Sequence, residues 1–117
     1  MKETYFELIV AIINRGYSDT VMDAARAVGA RGGTVIQARG AGSHEAEKFF
    51  GISIQPEKEI VLILTTIETK KSIMKAVCQS AGLKTPGRGL TFSLPVDDVM
   101  GMAMGVPVED GEESDKN

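Results

Sequence analysis

Residues 5–13 read YFELIVAII, a nearly continuous run of β-branched and apolar side chains, and residues 59–66 read EIVLILTT in the same manner. Apolar runs of this kind are typical of strands buried in the middle of a sheet. A buried helix is the alternative for the first run. The two runs therefore predict two central strands.

The segments around these runs predict the rest of the architecture. Apolar residues at helical spacing predict helices over residues 18–28, with Ser18-Asp19 as the N-cap, and over residues 68–81, and each is followed by a glycine. Residues 34–39 and 90–96 predict two more strands. The order β-α-β-β-α-β, built from two similar halves, indicates an α+β, ferredoxin-like fold: a four-stranded antiparallel sheet with two helices on one face. No spare element covers the other face, which favours homo-oligomerisation through it.

Length and charge indicate one domain with an acidic tail. The chain has 117 residues, 43% of them hydrophobic, and a formal net charge of −3. Residues 109–117 hold five acids and one lysine, so they contribute −4 and the remainder carries +1. This near-neutral body lacks the basic excess of a nucleic-acid-binding domain. We assign residues 1–104 to the domain and predict disorder for the acidic residues 105–117.

Composition excludes several other classes of protein. A single cysteine and a single histidine exclude a disulfide framework, a zinc knuckle and a multi-histidine metal site within one chain. The apolar stretch near the N-terminus is shorter than the roughly 20 residues that span a bilayer, and no cleavage site follows it. These features predict a cytoplasmic protein without membrane insertion. No nucleophile, base and orienting group occur together, so we predict that the chain is not an enzyme.

The connection over residues 40–57 is unusually long for a small domain, and such loops are usually functional or mobile. Glycines at its start permit close approach of a ligand, and aromatic side chains further on offer contacts to a partner. The alternative is a flexible loop base with a solvated histidine. The candidate residues of this loop are Gly40, Gly42, Ser43, His44, Phe49 and Phe50.

The turn before the last strand is the best anion-binding candidate. Gly87-Arg88-Gly89 combines two glycines, whose amides can turn toward a phosphate, with a cationic side chain, and Lys84 lies just before it. The turn precedes a strand, which excludes a P-loop or a Rossmann turn. A plain helix-to-strand turn is the alternative.

Three strings of the sequence resemble the nitrogen-regulatory PII signalling family and its PII-like relatives. Residues 29–42, GARGGTVIQARGAG, look like the second strand of that family and the start of its long T-loop. Residues 87–96, GRGLTFSLPV, are similar to its phosphate-holding B-loop and the strand that follows. The helix end at residues 81–84 is akin to its Thr-Gly-Lys. The resemblance covers about residues 4 to 102, and the joint spacing makes it more specific than any single string.

The resemblance implies a homotrimer with nucleotide clefts between subunits. Members of the family sense ADP or ATP, sometimes with a small anion, so AMP, ADP and ATP become candidate sensed ligands rather than fixed cofactors, and no metal is assigned. The T-loop is implied to contact a transporter or an enzyme. Nucleotide- or anion-binding roles are implied for Thr34, Gly40, Gly42, Lys84, Gly87, Arg88 and Gly89.

The sequence departs from the family pattern at positions that bear on charge. Leu90 stands where the pattern has a phosphate-binding lysine, and the apolar residues 99–104 replace basic ones. These differences favour a divergent PII-like regulatory protein. They leave open a trimeric interaction module that binds no nucleotide, and a small metal or ligand carrier that uses His44.

Overall fold

The fold consists of four strands and two helices in the predicted order. A computed structural model describes residues 5–41, 57–83 and 89–101. The elements are β1 (Phe6–Asn14), α1 (Ser18–Ala27), β2 (Thr34–Arg39), β3 (Glu57–Thr66), α2 (Lys70–Ser80) and β4 (Gly89–Val96). The predicted boundaries of all four strands are confirmed to within two residues.

The sheet is antiparallel throughout and has the strand order β2-β3-β1-β4. The two apolar runs are therefore its central strands, as predicted. In the register, Ile9 of β1 lies opposite Ile63 of β3 and Ser93 of β4. This is the ferredoxin-like arrangement that the element order indicated.

The helices cover one face of the sheet and form the core with it. Side chains of β1 alternate between fully buried and half-buried, and β3 repeats the pattern. The buried set points toward the helices, because antiparallel partners share a face and every second residue changes face. The core residues from the sheet and from the two helices are Ile9, Ala11, Ile13, Val61, Ile63, Val21, Met22, Ala25, Ile73 and Val77.

The opposite face, called here the open face, is also apolar and has no covering element among the described residues. By register it carries Phe6, Leu8, Val10, Ile12, Ile36, Ala38, Ile60, Leu62, Leu64, Leu90, Phe92, Leu94 and Val96. On β4, Leu90 and Leu94 remain 52% and 51% exposed. A continuous apolar patch of this kind marks an interaction surface. The apolar residues of the central strands form a continuous run because both of their faces are apolar. The side chains on the open face are nevertheless only half-buried, since no described element covers them.

The edge strand β2 is shorter than its neighbour β3. Thr34, where β2 begins, lies opposite Leu62, so the last four residues of β3 extend beyond it. The chain reaches this point through Arg31, Gly32 and Gly33, which belong to no strand. Because β3 continues beyond the start of β2, the edge of the sheet has a step where residues 63–66 of β3 extend past Thr34.

Candidate functional site

A cavity of about 400 Å³ occupies the step beside β2. Its apolar lining is Leu8 from β1 and Leu62 and Leu64 from β3, all on the open face. The segment from Arg31 to Thr34 forms the rest of its lining. A volume of this size falls within the roughly 300–1,000 Å³ typical of small-molecule sites. The structure thus places Thr34, a predicted ligand residue, at a cavity.

Gly33 allows the chain to pass close to α1 and β3 at this cavity. A Cβ at this position would lie 2.8 Å from the Met22 sulfur and 3.0 Å from the carbonyl oxygen of Leu62. At the neighbouring Gly32 a Cβ would meet nothing within 4 Å. A side chain at Gly33 would therefore displace the flexible end of Met22 and press on the Leu62 carbonyl oxygen, whereas packing does not require a glycine at position 32.

The other two described candidates lie at the far end of the sheet, where the 40–57 connection leaves and returns. Gly40 follows the last residue of β2, and Gly89 opens β4. These two strands are opposite edges of the sheet, separated by β3 and β1, so three strand spacings of about 4.8 Å put them about 14 Å apart. Thr34, Gly40 and Gly89 are therefore not brought together within one chain. A ligand that contacted both edges would need a second copy.

The backbone at Gly89 has no space for a side chain. Its φ is +128°, a region that favours glycine. A Cβ there would overlap the carbonyl oxygen of Ile12 and lie 3.1 Å from its carbonyl carbon. The last glycine of the predicted anion-binding turn is thus fixed by the contact between β4 and β1.

A buried carboxylate connects the base of the long loop to helix α1. Glu59 is only 6% exposed. Its Oε1 accepts hydrogen bonds from the amides of Gly16 at 3.2 Å and Ser18 at 3.3 Å, and its Oε2 accepts one from Gln37 Nε2 at 3.1 Å. Burial alone would raise the pKa of Glu59, but the hydrogen bonds from Gln37, Ser18 and Gly16 outweigh it and lower the pKa.

Glu59 caps helix α1, a role predicted above for Ser18-Asp19. The prediction of Ser18-Asp19 as N-cap is wrong: Ser18 is the first helical residue, and Tyr17 at the cap position makes no capping bond with its side chain. The first amides of a helix lack partners within the helix, and a carboxylate that accepts from them also interacts favourably with the helix dipole. The capping group comes from β3 instead.

Two polar pairs flank the same end of the sheet. The Arg15 guanidinium and the Glu57 carboxylate form an exposed ion pair, and the hydrogen bond to Glu57 raises the pKa of Arg15. On the open face, Lys58 Nζ donates to Asn14 Oδ1 at 2.6 Å. The two pairs join Asn14, the last residue of β1, and Arg15, which follows it, to the first residues of β3. The return of the long loop is therefore tied to the turn before α1.

The remaining candidates cannot be placed. Gly42, Ser43, His44, Phe49, Phe50, Lys84, Gly87 and Arg88 lie outside the described residues, as do the acidic residues 105–117. In the ranges 5–41, 57–83 and 89–101, no group of three or more His, Cys, Asp or Glu side chains is positioned to hold a metal ion. No helix within these ranges is long and apolar enough to cross a membrane.

Two parts of the site were missed by sequence reasoning. The leucines of the cavity fall inside apolar runs, where nothing separates a lining residue from a core residue. Arg31, Gly32 and Gly33 directly precede the candidate residue Thr34. The two consecutive glycines were the feature of the sequence that could have indicated a ligand site there. Glu59 begins an apolar run and gave no signal of its own.

Comparisons with known proteins agree with the fold. The family model described as "Nitrogen regulatory protein P-II" matches residues 6–105. A solved structure, the PII protein of Arabidopsis thaliana bound to citrate, is similar to this chain with a TM-score of 0.68 and 26% identity, covering 89% of each chain. A search of curated proteins by sequence gave no match. By its matched length and its fold, this chain belongs to the nitrogen regulatory protein P-II family, a family of regulatory signal-transduction proteins.

Proposed function

We propose that this protein is a PII-like regulator that binds a small anionic ligand, with an adenine nucleotide as the first candidate, in clefts between identical subunits. Its 40–55 loop would carry the result to a partner protein, a transporter or an enzyme, in the cytoplasm. The protein acts by binding and not by catalysis in this proposal. The observation that carries it is the position of the candidates: Thr34 lines a cavity on one edge strand, Gly89 opens the other edge strand, and an apolar face lies between.

The open face supports assembly of several copies. Large apolar side chains on all four strands remain in contact with water in a single chain, and burial stabilises by roughly 25 cal/mol per Å² of apolar surface. In such an assembly the β2 edge of one copy can lie next to the β4 edge of another. A homotrimer, the usual state of this family, is the proposed assembly.

The ligand is proposed to be small and anionic because the related Arabidopsis protein was solved with citrate, a tricarboxylate. Within this chain, Arg31 adds positive charge beside the cavity, and Gly87-Arg88-Gly89 supplies a further candidate anion site. Ligand binding is proposed to change the conformation of the long loop and thereby its contact with the partner, a common switching device.

Calorimetric titration of the purified protein with AMP, ADP, ATP and citrate tests the ligand. We expect heat of binding with at least one nucleotide at protein concentrations that detect micromolar dissociation constants. The same titration distinguishes the second candidate function, an interaction module without nucleotide binding. Leu90 favours that candidate, because this apolar residue directly follows the candidate turn and is 52% exposed. Absence of heat with all four ligands, in a protein that still assembles, would support the module and contradict the nucleotide proposal.

Adjacent residues of β2 provide a matched test of the assembly surface. Ile36 lies on the open face and Val35 on the opposite face, and they are 43% and 42% exposed. We expect Ile36→Asp to shift the protein to monomers in sedimentation equilibrium, because the charge would be buried at the interface. Val35→Asp should leave the assembly intact. Equal dissociation by both variants would indicate contact through the β2 edge and contradict assembly through the open face.

A further inference from the structure

Seven of the described residues line the cavity beside β2, and one of these seven is charged. Leu8, Leu62 and Leu64 provide an apolar surface, and Gly32, Gly33 and Thr34 provide backbone groups and a hydroxyl. The charged residue is Arg31. A pocket with an apolar wall and one charged group fixes the orientation of a ligand that has both kinds of surface.

Arg31 makes no ion pair with any residue in the described ranges, in contrast to two other arginines. Arg15 pairs with Glu57, and Arg26 lies 3.8 Å from a carboxylate oxygen of Asp23. The Arg31 residue is exposed. A guanidinium at the edge of a partly apolar cavity that has no carboxylate partner among the described residues can bind an anion from solution.

The acidic residues of the nearby strands do not compensate this charge. Glu7 precedes Leu8 in β1 but lies on the face that the helices cover, where Lys70 Nζ is 3.2 Å from its Oε1. Glu59 lies on that face as well and caps α1. The sheet therefore separates both carboxylates from the cavity, and Arg31 is the charged residue among the described residues that line it.

From this arrangement we infer that Arg31 determines the charge selectivity of the ligand site. The ligand class is a ring or other flat apolar group that packs on the leucines and carries an anionic group close to it, which the Arg31 guanidinium binds. This inference rests on the proposed function, and it assigns the selectivity to a residue outside the Gly87-Arg88-Gly89 turn. A nucleoside monophosphate satisfies the description, and the corresponding nucleoside, which lacks the anion, does not.

Titration calorimetry with adenosine and AMP on Arg31→Ala tests the inference. We expect the variant to bind AMP about tenfold more weakly than the wild type, as for loss of a charge-assisted bidentate bond. The dissociation constant for adenosine should change by less than twofold. Added salt should weaken AMP binding more in the wild type than in the variant, because the charged contact is screened.

Two further variants distinguish recognition of the ligand's anionic group by Arg31 from a general effect of removing a cation on AMP binding. Arg31→Lys keeps the charge but loses the planar fork, so we expect AMP affinity between those of the wild type and Arg31→Ala. Lys71→Ala removes an exposed cation from α2, on the other side of the sheet, and should leave AMP binding unchanged.

The outcomes distinguish this inference from the proposed function. If the wild type binds neither AMP nor adenosine nor ATP, the nucleotide proposal fails and the inference fails with it. If the wild type binds AMP and Arg31→Ala binds it equally well, only the inference is overturned. An equal loss of AMP and adenosine affinity would also overturn it, because Arg31 would then shape the cavity instead of binding the anion.

Discussion

Replacement of Gly89 by alanine is expected to lower the free energy of unfolding by about 3 kcal/mol. Two costs add: a non-glycine residue at this φ costs about 1–2 kcal/mol, and forcing an atom into filled space costs about 1–3 kcal/mol. The added methyl group would overlap the Ile12 carbonyl oxygen, which belongs to the central strand and cannot move independently of the sheet. Urea unfolding followed by circular dichroism measures the change.

Gly101 provides the matched control for the backbone cost alone. Its φ is +120°, close to the +128° of Gly89, but a Cβ there would meet nothing within 4 Å. We expect Gly101→Ala to cost only this backbone share, about 1–2 kcal/mol. If both variants lost the same stability, the clash with Ile12 would have no effect and the tight contact between β4 and β1 would be contradicted. A larger loss for Gly89→Ala would show that the end of the candidate turn is fixed by the fold itself.

Replacement of Glu59 by alanine is expected to lower the free energy of unfolding by about 3 kcal/mol at pH 7. The variant removes the acceptor of the Gly16 and Ser18 amides and of the exposed Gln37 side-chain amide, and a hydrogen bond to a charged group contributes about 1.5–3 kcal/mol. Relaxation and entry of water will recover part of the sum. Glu59→Gln keeps the size of the side chain and is expected to lose about 2 kcal/mol, the range of a hydrogen bond to a charged group.

The pH dependence gives an independent measure of the same carboxylate. The pKa of Glu59 is lower in the folded protein than its ordinary value of 4.5, so the folded state favours the ionised form. The resulting stability is fully present above about pH 4.5 and is lost as the pH falls through the lower folded pKa. We expect the stability difference between the wild type and Glu59→Gln to shrink between pH 6 and pH 3. A constant difference over this range would contradict the assigned hydrogen bonds.

Glu57 is the control carboxylate for these experiments. It lies two residues from Glu59 on the same face of β3, but its side chain is 58% exposed and pairs with the exposed Arg15. Exposed ion pairs contribute about 0–1 kcal/mol. Glu57→Gln should therefore have a small effect at every pH. A loss as large as that of Glu59→Ala would mean that the position on the strand matters more than burial and capping.

The order and type of the elements could be predicted because each followed from local periodicity. The continuous apolar runs identified the central strands, and the glycines Gly29 and Gly82 lie just after the helices with φ of +117° and +66°. The helix start could not be predicted in the same way. The partners that Glu59 holds are 43, 41 and 22 residues away in the chain, so no local pattern connects the carboxylate to the helix that it caps.

The candidate site could be predicted only in part. Thr34, Gly40 and Gly89 were named from local strings, yet the cavity depends on the relative lengths of β2 and β3, which emerge only from the register. Leu8 and Leu64 line the cavity although they are distant in sequence. The amino-acid composition likewise could not reveal the charge of this site. The proposed anion contact depends on one arginine beside three leucines, and a single residue does not change the overall charge balance noticeably.

The short edge strand has a consequence for how such a site can diversify. The cavity exists because β2 begins opposite Leu62, so that Ile63–Thr66 of β3 have no paired strand on that side among the described residues. Its space is therefore set by the length of β2, whereas Arg31, to which we assign the charge selectivity, is an exposed residue that the core does not require. Substitutions there can retune the ligand at small cost in stability, a separation that lets one scaffold serve many functions. An insertion that extended β2 backward by two residues would instead fill the step and remove the site in a single event.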